Sequence, residues 1–520
     1  MPDSASLEIH HINVSQGDSV LIVIRDLDEV EKLLPPGSVP DDPIDYVPEA
    51  IRLKRDMSGT VKKALLIDAG DTQFGGDVVG YLKQHGVVAG FGYQPLLEVL
   101  ISHPHQDHMA GIRSIFKQRV DPAKGRKVTY VDYMRPAVLY KELPHKDTDP
   151  TSKTWKLLVE DIDKATTAKP GTKLVHVLKG GRADSRNPTK INLGKINGIS
   201  VDLTLIASGQ GVHNAQTGTI KEIATVGAQT STSTKGKKRK KGGKTKVDQN
   251  DRSIVGVLQY GSFRYFLGGD IAGNGGAAGG NFLDCAVDTS KKKSYSQHAN
   301  VETDLGEALE ASFPKTKLVP DTVTPTDPKA PKAPKRLIYP PGEPIFLHNG
   351  YATVMKANHH ASSSSCDIHL FGTLRPLLFI VNSGVKSRPH GHPTKETINR
   401  ATASHTAKWQ LRDGTTMVDN TVAQVYVTEC AETYHGGEFD TDLYDGKIIG
   451  DIVVRPVDGT VTACQDAIES GTKLRVQVYG TGKQTARFSN RNALRDLDAR
   501  DVNASGSTYP MGPWEHEDTH

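Results

Sequence analysis

The segment His103-Pro104-His105-Gln106-Asp107-His108 places four metal-ligand side chains directly after the apolar run LLEVLIS (residues 96–102). It stands directly before MAGIRSIFKQ, where Met109, Ile112 and Ile115/Phe116 recur at helical spacing. Such polarity at the end of a buried strand requires a strand-to-helix corner that opens on a pocket. His103 and His105, two apart on an extended segment, point the same way and can share one metal, while Asp107 and His108 at the helix start can reach a second. Two cations held about 3.5–4 Å apart would lower the pKa of a bridging water towards about 7 and clamp an oxyanion. A histidine-rich surface turn is the alternative, and HxHxDH at the end of a buried strand argues against it.

Around this corner the chain reads as a layered α/β protein. Residues 7–24 (LEIHHINVSQGDSVLIVI) are two β-rich runs separated by a turn containing Gly17 and Asp18, an opening hairpin. Residues 64–68 (ALLID) predict a short buried strand, 77–85 (DVVGYLKQH) a helix and 96–102 another buried strand. Residues 120–200 show few clear periods. Residues 200–207 are strand-like, and 253–259 with 263–267 predict a strand pair turning at Tyr260, Gly261 and Ser262. Later strands are expected at 351–357, 377–381 and 421–428, with a helix over 394–403 after Pro393. Residues from 431 to about 490 lean towards β structure, and the last thirty or so read as poorly ordered.

The charge is unevenly distributed. The 520 residues carry 64 Lys and Arg against 60 Asp and Glu, a formal net charge of +4. Residues 235–246 (KGKKRKKGGKTK) hold eight of the basic side chains and no acidic one, so the remainder has 56 against 60, a net of −4. This run sits in a low-complexity insertion, 227–247, expected to be flexible. It suits an electrostatic tether for nucleic acid or another polyanion, or else a solvated loop; with no aromatic residue interleaved, base stacking is not part of it. Nine prolines between Pro314 and Pro344 mark 314–344 as a linker or surface loop. No apolar window reaches the ~18 residues of a membrane helix, and the start MPDSASLEIH lacks the basic and apolar regions of a leader, so a cytoplasmic protein without membrane contact is expected. Cys285, Cys366, Cys430 and Cys464 form no CxxC, which excludes a thiolate zinc knuckle and a disulfide framework.

The corner motif is followed by RYFLGGD, ending at Asp270, and by ATVMKANHH, ending at His359 and His360; it is preceded by LIDAG, containing Asp68. In that order these segments resemble the metallo-β-lactamase fold hydrolases. The resemblance implies an αββα sandwich with insertions over residues 1–430, followed by the β-leaning extension 431–520. It also implies that Asp270 bridges two metals, that His359 or His360 is a ligand, and that Asp68 supports the ligand loop from behind. Within the family the details resemble the hydrolase domain of the DNA-internalisation competence proteins. Val14-Ser15-Gln16-Gly17-Asp18-Ser19 matches that branch's VGQGDS and Asn250-Asp251-Arg252-Ser253 its NxxS. His359-His360-Ala361-Ser362 matches its HHGS, and Pro389-His390-Gly391-His392-Pro393 its YGHP. Ser15 and Ala361 stand where the branch has glycines, and the branch's membrane segments are absent, so only the hydrolase module carries over.

His213, in SGQGVHNA, lies where the family often supplies a third histidine; His145 and His176 compete for that role. His392, at a helix entrance, could donate a proton to a leaving oxygen or bind phosphate, and with Asp107 it is the residue expected at the chemistry. It could also be a surface residue of the helix cap. Ser362, Ser363, Ser364 and Ser365 either line the same pocket or form a solvated loop. The terminal His516-Glu517-Asp518-Thr519-His520 matches HExxH but has no helix to bring its histidines together.

The expectation is a metal-dependent hydrolase with two divalent ions, zinc with manganese as the alternative, acting on phosphodiesters in a nuclease-like reaction. Hydrolysis of a carboxylic ester, thioester or lactone is the alternative on the same fold. A non-catalytic binding protein with a vestigial metal site is a third reading, opposed by the intact ligand set.

Overall fold

Ile22 and Ile24 point to one side of the strand Val20–Asp26 and Leu21 and Val23 to the other, and all four are buried. A sheet built from such strands needs a cover on each face. In the computed structural model two nine-stranded sheets meet this need by packing on each other and each taking a helical layer. The structure describes residues 5–41, 43–88, 92–116, 120–121, 126–127, 134–142, 152–183, 188–214, 217–223, 249–261, 263–273, 300–312, 352–376, 378–384, 392–402, 408–410, 417–419, 422, 424–429, 450–457, 472–479 and 514–518. The basic insertion 227–247, the proline-rich 314–344, His145 and residues 389–391 lie outside these.

The first sheet runs Trp514–Asp518, Thr472–Tyr479, Asp451–Val457, Ala5–His11, Val20–Asp26, Val61–Ile67, Gly92–Leu100, Met134–Glu142, Lys173–Val177. The second runs Thr219–Glu222, Gly211–Asn214, Ile199–Ser208, Val255–Tyr260, Phe263–Leu267, Val354–Lys356, Leu378–Val381, Gln424–Val427, with Lys190–Ile196 also paired to Ile199–Ser208. Leu7, Ile9, Ile22, Leu65 and Leu100 meet Leu203, Leu258, Phe263, Tyr265 and Ile380 in the core between the sheets. The outer face of the first sheet packs on the helices Gly75–Gln84 and Lys153–Thr167 through Leu66, Val99, Leu82 and Leu158. The outer face of the second packs on Val301–Ser312, Ile368–Leu374 and Lys395–Thr402 through Phe266, Phe379, Leu305 and Phe371. Among the described residues no helix is long and apolar enough to cross a membrane.

The expected elements form with shifted ends. The hairpin pairs Ala5–His11 with Val20–Asp26, so its connection spans residues 12–19 and is no tight turn. That length lets the connection reach the corner motif, where Asp18 N–H donates to Asp107 O at 3.2 Å. Gly17, at φ +134°, lies so close to Asp107 O that a Cβ would collide with it. Residues 120–200, opaque in sequence, supply two strands and a helix of the first sheet's half and the strand Lys190–Ile196. The β-leaning stretch beyond residue 431 contributes Asp451–Val457, which pairs directly with Ala5–His11. The tail expected to be poorly ordered contains the strand Trp514–Asp518, which carries His516 and Glu517; His520 lies outside the described residues.

Beneath the helix Gly75–Gln84 the first sheet buries charge. Glu8 Oε2 accepts from Arg25 Nε at 3.1 Å, Arg25 Nη2 at 3.0 Å and His10 Nε2 at 3.0 Å, and Glu8 Oε1 accepts from Arg455 Nε at 3.3 Å. His10 then receives the Tyr81 hydroxyl on Nδ1 at 2.8 Å, because a ring donating from Nε2 to a carboxylate is left with Nδ1 as acceptor. Burial opposes ionisation of Glu8, and the two guanidiniums overcome it, holding the carboxyl well below its usual range.

Ser15 adopts φ 57° and Ala361 φ 59°, in the left-handed region that favours glycine. Both backbones thus keep a glycine conformation. The Ser15 hydroxyl is also buried with no hydrogen-bond partner among the described residues. Ser15→Gly is expected to raise the unfolding free energy by about 1–2 kcal/mol, relieving the left-handed strain and the desolvated hydroxyl. Urea denaturation checks this; a variant no more stable than the parent contradicts it.

Candidate metal centre

In each sheet a run of parallel strands brings carboxyl ends to one edge: Gly92–Leu100 in the first, Phe263–Leu267, Val354–Lys356 and Leu378–Val381 in the second. Ligand sites form at such edges. The corner 103–108, Asp270, the pair His359 and His360, and Asn382 are the residues these strands deliver.

They converge on one carboxylate. Asp270 Oδ2 lies 3.1 Å from His108 Nε2, 3.6 Å from His360 Nε2, 3.7 Å from His103 Nε2 and 4.0 Å from His359 Nε2. Asp107 Oδ2 is 3.3 Å from His360 Nε2. His103, His105 and Asp270 form one group whose ligand atoms all lie within 4.8 Å of one another, and Asp18, His108, Asp270 and His360 form another. All of these side chains but the half-buried His105 are buried, and they could hold a metal ion. The donors suit one: His103 Nε2 and Asp270 Oδ1 are buried without a hydrogen-bond partner among the described residues, and imidazole with carboxylate is the ligand chemistry of zinc and its neighbours.

Asp18, close as it is, faces the wrong edges to share an ion with Asp270. It lies 3.3 Å from His360 Nδ1 and 3.7 Å from His108 Nδ1, whereas Nε2 of each ring points to Asp270. Its other role is to pair with Lys356 Nζ, a buried ammonium that also donates to Ala357 O at 2.8 Å. Asp107, on the Nε2 side, is the better companion of His108 and His360.

The rings are oriented from behind. Asp68 Oδ2 accepts from His108 Nδ1 at 2.9 Å, and Asp68 is itself held by Ser102, whose backbone N–H donates to Oδ1 at 2.8 Å and whose hydroxyl donates to Oδ2. His360 Nδ1 donates to the Asn382 carbonyl at 2.9 Å; a carbonyl only accepts, so Nε2 is free to ligate. His359 is half-buried and turns to Asn250 Nδ2, 3.4 Å away, and to the His392 ring, 5.5 Å between centroids. Between the two adjacent histidines, His360 is the one placed among the ligands. His392 is buried at the same site, 6.1 Å from the His360 ring.

His213 is not brought to this cluster. It is buried on Gly211–Asn214, a strand separated from Phe263–Leu267 by two others, and it falls in neither group of ligand atoms among the described residues. After Ser208 the chain doubles back antiparallel and carries His213 towards the edge of the sheet. His176 is on Lys173–Val177 in the first sheet, also outside both groups. The four serines do not form a solvated loop: Ser362, Ser364 and Ser365 are buried, Ser365 Oγ donates to Asn358 O at 2.7 Å and Ser362 Oγ meets Ser364 Oγ at 3.1 Å, bracing the turn. Glu8, His10 and His85 also lie close together, but Arg25 and Arg455 take both Glu8 oxygens and repel a cation.

The electrostatics are those of a cation site. Burial opposes charge on His108 and His360, yet Asp270 and Asp18 outweigh it, holding His108 well above the usual imidazole range and pushing His360 up to about 10. Burial, reinforced by His108, holds His103 well below it. At neutral pH, therefore, two imidazoles carry protons that a metal must displace. Metal uptake at pH 7 is expected to release about two protons, and affinity is expected to climb as pH rises towards 10. Calorimetric titration in buffers of differing ionisation enthalpy measures this; release near zero contradicts it.

Searches against protein-family models and against curated proteins find no match for this chain.

Proposed function

We propose that the protein is a dinuclear metallohydrolase of the metallo-β-lactamase fold, acting on phosphodiesters. The observation that carries the reading is the convergence of His103, His108, His360 and Asp107 around Asp270 at the carboxyl edges of both sheets. The sequence of layers, helices on each outer face and sheets between, supports the fold reading. His103 and His105 would hold one ion, Asp107, His108 and His360 the other, with Asp270 shared. When bound, such a pair, zinc or manganese by donor type, supplies Lewis acidity and a water of lowered pKa.

The chain's own groups do the rest. Asp68 and the Asn382 carbonyl hold the ligand rings in one tautomer, and Asp18, neutralised by Lys356, backs them without competing for the ions. His392 and His359 stand together beside the ligands, where an imidazolium can hold a phosphate oxygen or pass a proton to a leaving alkoxide. The cationic residues 235–246 lie in sequence between Ile223 and Asn250, the residue that reaches His359, so a polyanion drawn by them arrives near the centre.

Metal analysis of the purified protein comes first: no bound metal, and none taken up from zinc or manganese solutions, ends the enzyme reading. Bis-p-nitrophenyl phosphate and single-stranded DNA are then assayed beside thioester and lactone panels. Hydrolysis of the phosphodiesters is expected; turnover confined to acyl substrates replaces the phosphodiester assignment. Deleting 235–246 is expected to flatten the salt dependence of DNA binding, and an unchanged slope removes the tether.

A further inference from the structure

Two loops of the second sheet carry ligands, one after Phe263–Leu267 with Asp270 and one after Val354–Lys356 with His360. One residue outside both touches each of them. Glu302, in the first turn of the helix Val301–Ser312, is 1 % exposed. Its Oε1 accepts from Asn358 Nδ2 at 2.7 Å and from Cys366 N at 2.6 Å, and its Oε2 from Asp367 N at 2.9 Å. Those donors stand at the two ends of the loop that holds His359 and His360. The Glu302 backbone N–H donates to Ala272 O at 3.2 Å, two residues beyond Asp270. Gly273, the next residue, has no room for a Cβ against Glu302 Oε2 and the Asp367 carboxylate.

The clamped loop needs such support. His359, His360 and Ala361 are consecutive non-glycine residues at φ 46°, 52° and 59°, and Cys366 is at 55°. Each such conformation costs free energy and persists only when its surroundings over-determine it. Ser365 and Ser362 brace the middle of the loop, and Asp367 caps the next helix by accepting from Leu370 N at 2.7 Å. Glu302 alone among the described residues bonds to both Asn358 and Cys366 through its carboxylate.

We infer that Glu302 is a positioning residue of the metal centre, holding His360 in register with Asp270 by clamping the loop 358–367 against the segment 270–273. The inference rests on the metal-centre reading above. Burial and the neighbouring Asp367 push the carboxyl up to about 8. Glutamine is neutral and of the same shape, and its oxygen can still accept from Asn358 Nδ2 and Cys366 N, while its NH2 cannot accept from Asp367 N.

The test uses the full chain and cobalt(II), whose visible absorption reports ligand geometry. Glu302→Ala is expected to weaken cobalt binding about 10- to 100-fold, the usual cost of losing a group that orients a ligand, and to shift the spectrum. Glu302→Gln, which keeps the two bonds to Oε1 and loses the one from Asp367 N, should bind cobalt more tightly than Glu302→Ala and with a spectrum nearer the parent's. Leu309→Ala, on the same helix in the core, controls for general destabilisation: it should lower the unfolding midpoint yet keep parental affinity and spectrum. Parental binding and spectrum in Glu302→Ala overturn the inference, as does equal loss of affinity in Leu309→Ala. Should Glu302→Ala not fold, Asn358→Ala removes one bond of the clamp; an unchanged spectrum there also overturns it. A parent that binds no cobalt overturns the metal-centre reading itself.

Discussion

Asp270→Ala is expected to lose metal by at least about a hundredfold in affinity and to reduce phosphodiester hydrolysis to background. Four imidazole Nε2 atoms lie 3.1 to 4.0 Å from this carboxylate, more than approach any other carboxylate among the described residues. A change that removes a shared ligand should exceed the 10- to 100-fold typical of a group that merely orients one. The variant also deprives His108 and His360 of the charge that sustains their protons, so it should release fewer protons with whatever metal it takes up. Equilibrium dialysis against zinc, with circular dichroism to show that the fold persists, measures the loss. Parental metal content together with parental turnover would remove Asp270 from the centre.

The largest stability effect is expected at Glu8. Glu8→Ala strands Arg25 and Arg455, both fully buried, without their carboxylate, and breaking a buried pair from one side costs about 3–5 kcal/mol. Because the Glu8 carboxyl is held below its unfolded value of 4.5, its contribution is present above that pH and is lost as the solution is acidified. The variant should therefore be much less stable than the parent at pH 7, and the gap should narrow towards acid. Urea unfolding at pH 7 and at pH 3 compares them; a constant gap, or none, would show that Glu8 does not hold these charges.

Much of the centre was legible because its chemistry contradicts its surroundings. Four polar ligand-type residues after LLEVLIS, and an aspartate after RYFLGG, stand at the ends of runs that must be buried, and the structure brings both to one edge. What escaped depends on partners far apart in sequence or on backbone shape. His359 and His360 are equivalent as letters; the left-handed turn puts His360 in a group of ligand atoms, while His359 Nε2, 4.0 Å from Asp270, lies nearer Asn250. His213 looked suitable by order along the chain, but a reversal after Ser208 takes it out of the ligand groups. Asp18 was visible as part of a turn, yet its pairing with Lys356 links residues that no local pattern connects. Glu302 was missed altogether, although Val301, Leu305, Ala308 and Leu309 have the spacing of an amphipathic helix and are buried as one.

The pairing of Ile9, His10 and His11 with Val454, Val453 and Ile452 has a consequence for how the chain is made. At about 5–20 residues per second, the ribosome releases the first strand tens of seconds before its neighbour. During that interval the edge of the hairpin, with Arg25 already facing Glu8, is an open template awaiting Arg455. Nascent chains arrested before residue 451 should therefore be chaperone clients, and release of the chaperone should coincide with emergence of the strand Asp451–Val457.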